Sequence, residues 1–209
     1  MPIFSRKPRA SIESISFDTT RYRFKGEENG QRIWYTPDGD GVGVLFFEVP
    51  PGLPRQTKTT ADLQEFYRKS IGNELVKMVE FRLLEVAKVA CVWMVLGIPQ
   101  PSCAVTYVGT LTIPFAKFSF VIKMQCEERG TTGVREAVLL DKALRTGSVT
   151  VEEGGKLKGD LNWDDVRHDN QFPNHPLSRL RREFAPIIAS LQIQEATQQE
   201  KRFGLPSTA

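Results

Sequence analysis

The chain has 209 residues, of which 40% are hydrophobic, 25% charged and 10% aromatic, with 28 Lys and Arg against 25 Asp and Glu. That composition excludes disorder over most of the length, a fibre, and a mini-scaffold dependent on metal or disulfide staples. The formal charge of +3 equals the contribution of Arg6, Lys7 and Arg9, so no basic stripe crosses the rest and no nucleic-acid partner is expected.

Residues 1–12 read as a flexible basic tail. Three strands follow. Arg21–Lys25 alternates aromatic and basic residues, Asn29-Gly30 is a strong hairpin signal, and Arg32–Thr36 returns. Residues 37–41 (PDGDG) form a second turn, and Val42–Val49 is the third strand, closed by prolines. Thr59–Leu75 reads as a helix, with Thr60 as its cap and Leu63, Phe66, Tyr67, Ile71 and Leu75 on one face. Val76–Lys88, Val89–Ile98, Ala104–Ile113 and Ala116–Cys126 read as strands. In the last, Phe118, Phe120, Ile122, Met124 and Cys126 share one face, against Lys117, Ser119, Val121, Lys123 and Gln125 on the other. The connections are too short for parallel crossovers, so an antiparallel meander is expected.

Residues 130–133 (GTTG) then open a helix to about Leu144, with Val134, Ala137, Val138, Leu140 and Ala143 as its apolar side. Residues 146–160 are polar and glycine-rich, a loop or linker. His175–Gln194 forms an amphipathic helix with Pro176 in its first turn, and Pro186 is expected to kink or interrupt it. The chain after about Gln198 reads as loose. The expected fold is α+β: a curved antiparallel sheet of six to seven strands with helices packed on it, plus a C-terminal helix. The expected division is a tail at 1–12, a domain at 13–145, and an extension at 146–209 packing on that domain.

Several groups of residues have side chains suited to chemistry. His168 and His175, with Asp164, Asp165 and Asp169, could build a metal or acid/base site, but no HExxH or Cys/His spacing supports one. The structural reading has Asp165 and Asp169 offsetting Arg179, Arg181 and Arg182 on a solvated helix face, with His175 at the helix start. Asp38 and Asp40 belong to a turn rather than a calcium loop, whose twelfth position would be Val49. GTTG could hold an anion at a helix start, with Arg135 adding charge, but capping by Thr131 or Thr132 is the simpler use. Neither Ser102 nor Ser119 lies in a nucleophile motif. Trp34 and Trp93 read as packing residues; Trp163, in the acidic segment, is the tryptophan to watch. The candidate binding residues are therefore Trp163, Asp164, Asp165, His168, Asp169, His175, Arg179 and Arg182, and no cofactor is expected.

Cys91, Cys103 and Cys126 have no CxxC spacing and point to a reducing compartment. No apolar signal segment opens the chain, and the longest apolar run, Val89–Ile98, is short of the ~20 residues of a membrane span. A cytoplasmic protein without a membrane span is expected.

The element order β-β-β-α-β-β-β-β-α, over about residues 20–145, resembles the PsbP-like and DcrB-like fold. The segment TYVGTLTIPFAKFSFVIKMQCEERGTTGVREA (106–137) is similar to those of uncharacterised bacterial proteins. The resemblance implies a binding, assembly or chaperone protein rather than an enzyme. Three functions follow as expectations. The first is a non-enzymatic protein-binding accessory, adaptor or chaperone, with a protein partner or self-association. The second is a small-ligand or lipid-binding domain around Phe115, Phe118, Phe120 and Trp93. The third is a metal-dependent hydrolase centred on His168 and His175.

Overall fold

The computed structural model describes residues 10–54, 57–101, 104–159 and 161–206. In chain order the elements are β1 (Ile15–Ser16), β2 (Arg23–Glu28), β3 (Gln31–Tyr35), β4 (Gly41–Phe47), α1 (Thr60–Ile71), β5 (Lys77–Val86), β6 (Val89–Pro99), β7 (Val105–Pro114) and β8 (Ser119–Glu127). Then come α2 (Val134–Thr146), β9 (Val149–Val151), β10 (Leu157–Gly159), α3 (Pro176–Ser190), β11 (Gln192–Ile193) and α4 (Glu195–Gln198). The fold is α+β. Seven strands form one antiparallel sheet in the order β2-β3-β4-β8-β7-β6-β5.

Side-chain alternation divides the sheet faces. Cross-strand pairs Val42–Met124, Val44–Ile122, Phe46–Phe120, Leu111–Ile122 and Trp93–Leu111 put their side chains on one face. α3 lies on that face with Leu177, Leu180, Phe184 and Ile187 buried against it. Gly109 sets the approach: a Cβ there would meet Leu180 Cδ2 at 2.9 Å and Trp93 Cη2 at 3.2 Å. α1 covers part of the opposite face, where Leu63 is fully buried and Tyr67 packs on Phe81 with ring centroids 5.5 Å apart.

The Asn29-Gly30 turn forms as its residue types dictate, both in left-handed backbone. The β5–β6 turn is the same kind of tight connection made by Ala87 and Lys88, both at positive φ. Neither residue type announces it, and each left-handed non-glycine costs of order 1 kcal/mol.

Several expectations are corrected. The cap of α1 is Thr59, not Thr60. Its hydroxyl accepts from Asp62 N while the Asp62 carboxylate accepts from Thr59 N. Gly72 adopts left-handed backbone and ends the helix, so Leu75 falls outside it, 74% exposed. α2 turns a different face inward: Arg135, Leu139 and Ala143 are buried, while Val134, Ala137 and Val138 are exposed. The glycine-rich segment contains the β9–β10 hairpin, because Gly154 and Gly155 supply its turn and Val149 is buried. α3 runs through Pro186 without interruption and stops at Ser190.

Neither chain end is loose within the described residues. Ala10 and Ile12 are buried, and β1 pairs with β11. Phe203 is buried, Ala116 N donates to Lys201 O, and Arg202 bridges to Phe115. Arg6, Lys7, Arg9, Ser102, Cys103 and Asp160 lie outside the described residues. Among those described, no helix is long and apolar enough to cross a membrane.

Candidate functional site

The acidic segment after β10 cannot form a core strand or helix of its own, and two arginines organise it instead. Arg135, 1% exposed on the first turn of α2, donates from Nε to Trp163 O at 2.9 Å and from Nη2 to Asp165 O at 3.0 Å. Its Nη1 donates to Asp169 Oδ1 at 3.0 Å and Ser178 Oγ at 3.1 Å. Arg181 on α3 donates to both Asp169 oxygens, to Asp164 O at 2.7 Å and to Glu80 Oε1 at 2.6 Å. Lys77 Nζ at 2.5 Å and the Tyr107 hydroxyl at 3.4 Å fix the Asp164 carboxylate. Burial works to raise the Glu80 carboxyl, but hydrogen bonds from Trp93 Nε1 and Arg181, with the arginine charge, hold it below its ordinary value.

Trp163, Asp164, Asp169 and His175 are thus gathered around Arg135 and Arg181. Asp165 lends the network its carbonyl, while its carboxylate pairs with exposed Arg167, which holds it well below the carboxylate range. Arg179 and Arg182 are not part of this cluster and do not pair with Asp165 or Asp169. Buried Arg179 holds Asp40 through two bonds, at 2.8 and 3.0 Å, and Arg182 holds Asp38 at 2.9 Å. The turn aspartates are therefore anchors for α3, and Arg179 is not on a solvated face. Only the Asp169–Arg181 pair matches the expected charge offset.

His168 and His175 do not converge. Among the described residues the one group spaced like metal ligands is Glu128, Glu136 and His175, without His168 or the aspartates. Its chemistry suits a proton better than a cation. His175 caps α3, its Nδ1 accepting from Leu177 N at 3.3 Å and facing Arg135 Nη1 at 3.4 Å. With the Leu177 N–H donating to Nδ1, the ring proton belongs on Nε2, 3.6 Å from Glu136 Oε1. A metal on Nε2 needs that lone pair and would leave a proton on Nδ1 against the Leu177 N–H and beside the Arg135 guanidinium. The contact with His175 keeps the Glu136 carboxyl below its usual range. The candidate anion site is closed as well. Neither Thr131 nor Thr132 caps α2; Gly133 does, its N–H donates to Glu128 Oε1 at 2.8 Å, and Arg135 is buried and engaged by residues 163–178.

Beside this network runs an open groove of about 690 Å³ between β5, residues 162–166 and α3. Half-buried Val79 and Ile188 supply apolar lining over buried Trp93 and Phe184, which meet edge-on at 4.5 Å. Val166 stands at the rim, 64% exposed. The groove's charges neutralise one another: Lys77 with Asp164, Arg82 and Arg181 with Glu80, Asp165 with Arg167.

No family model matches the sequence. No curated protein matches it either. A crystal structure of a protein from Bacteroides thetaiotaomicron VPI-5482 is similar over 58% of this chain and 41% of that chain, with 9% identity and a TM-score of 0.36. Likeness at that level assigns neither a family nor an activity.

Phe115, Phe118 and Phe120 do not line a pocket. They are filled core, Phe115 stacked on Phe118 at 4.6 Å; of the expected ligand group only Trp93 reaches the groove. Cys91 and Cys126 are buried free thiols, and burial pushes Cys91 up to about 12, so both are inert. The residues that sequence reasoning missed are Arg135, as the organiser, and Glu80. Arg135, Leu139 and Ala143 recur at four-residue spacing, but so do Glu136, Leu140 and Leu144, so spacing alone does not single out the buried row.

Proposed function

We propose that this protein is a non-enzymatic protein-binding accessory, adaptor or chaperone, whose groove between β5 and α3 takes an apolar segment of another protein. The groove carries the reading. Val79, Ala185 and Ile188 present apolar surface above the buried Trp93 and Phe184, and the ionic groups are already paired within the chain, so an apolar occupant leaves no charge unanswered. α3 is not the docking element, because its apolar stripe is spent on the sheet. The resemblance to PsbP-like and DcrB-like proteins is in keeping with a binding role, and the inert buried thiols with a reducing, cytoplasmic compartment.

A labelled Leu- and Phe-rich peptide titrated into the full chain tests this by anisotropy. Ala185 is exposed on the α3 wall of the groove, so Ala185→Arg should obstruct it without unfolding the helix. Saturable binding weakened at least about tenfold by Ala185→Arg is expected. Absence of binding, or equal binding by the variant, would overturn the reading.

A further inference from the structure

Among the described residues the sheet ends at β5, which pairs with β6 alone. Its outer edge presents unpaired backbone groups of the kind that recruit another strand. We propose that β5 pairs antiparallel with β5 of a second copy of this chain, about a two-fold axis at Phe81.

The order of charges along the strand selects both partner and register. Directly opposed residues in a sheet share a face, so a symmetric seam must be centred on a residue. Centred on Glu80, it would press two carboxylates together; centred on Arg82, two guanidinium groups. Centred on Leu83, it would set Phe81 against Glu85. Centred on Phe81, it opposes Glu80 of each copy to Arg82 of the other, on both sides of the axis. Ring then meets ring, on the face where Phe81 packs against Tyr67.

The side chains are placed for this exchange. Glu80 is held at the edge by Trp93 and Arg181. Arg82 is 60% exposed and bonded to its own Glu80, so it can turn to the same residue of the second copy. The opposite edge offers no equivalent. β2 has no buried residue, and its pairing is irregular between Phe24 and Gly26, at the strand centre.

The irregularity between Met78 and Glu80 confines the regular seam to a few residues. A reversible, concentration-dependent dimer follows rather than an obligate one. Both α3 helices then lie on the same face, and the two grooves meet across the axis. The seam itself does not depend on what the groove binds.

Analytical ultracentrifugation of the full chain over a micromolar concentration series tests the seam. A monomer–dimer equilibrium is expected, with Arg82→Glu raising the dimer dissociation constant at least about tenfold by opposing two carboxylates on each side of the axis. Under mild oxidant, Phe81→Cys should form a covalent dimer faster than the wild type, since the two Cβ atoms would be about 5 Å apart. Leu83→Cys, opposite Val79, should not. A wild type monomeric throughout overturns the proposal. So does an unchanged constant for Arg82→Glu, or equal crosslinking of the two cysteine variants.

Discussion

Arg135 shows what one buried cation can do for a segment with little apolar content. Its three nitrogens donate to carbonyls, a hydroxyl and a carboxylate from residues 163–178, so the acidic segment is fastened to α2 by one side chain. Arg135→Met would keep most of the volume but leave the carbonyls of Trp163 and Asp165 without these donors. The expected loss is about 3–5 kcal/mol, read from urea unfolding. Arg135→Lys should recover only part of it, because an ammonium cannot span acceptors spaced for a planar guanidinium. A loss below about 1 kcal/mol for the methionine variant would show that Arg181 suffices alone.

Among the elements, α3 depends on its seat over β7. Gly109 lets Leu180 and Trp93 close over the strand, and a methyl group there would have to displace these two buried side chains. Gly109→Ala should cost about 1–3 kcal/mol as α3 lifts or Trp93 leaves its rotamer. Amide exchange across α3 should quicken while α1, on the other face, stays protected. Uniform protection would mean the core absorbs the methyl group. The strands were legible from the chain because alternation and proline punctuation are local signals. The same holds for Asn29-Gly30, for the α1 capping residues to within one position, and for His175-Pro176 at the start of α3. The Ala87-Lys88 turn was legible only as the break between strands at Lys88 and Val89, since its residue types carry no turn preference. The inward face of α2 was not legible: its exposed valines outnumber its buried leucine, and periodicity cannot say which apolar row finds a partner. The site was legible as a neighbourhood only. Asp40 and Arg179 are 139 positions apart, and nothing local in either predicts the other.

At the scale of the whole molecule, a single hydrophobic core joins Ala10 to Ile193 and includes both the sheet and α3. A chain cut at residue 146 would strip α3 from Leu111, Ile113, Met124 and Trp93, exposing a broad apolar face. That chain is expected to precipitate or bind a hydrophobic dye strongly, while the full chain elutes as a folded species in size exclusion with light scattering. A soluble, well-folded cut form would show that α3 is dispensable to the core.

The pairing of β1 with β11 has a consequence for biogenesis. Residues near the start of the described chain must wait for residues near its end before their backbone groups are satisfied. The sheet can be complete once β8 has left the ribosome, yet α3 ends about sixty residues later, a delay of several seconds at about 5–20 residues per second. During that interval a finished sheet stands with one oily side bare. Each nascent chain must therefore be shielded by its surroundings before it can shield itself.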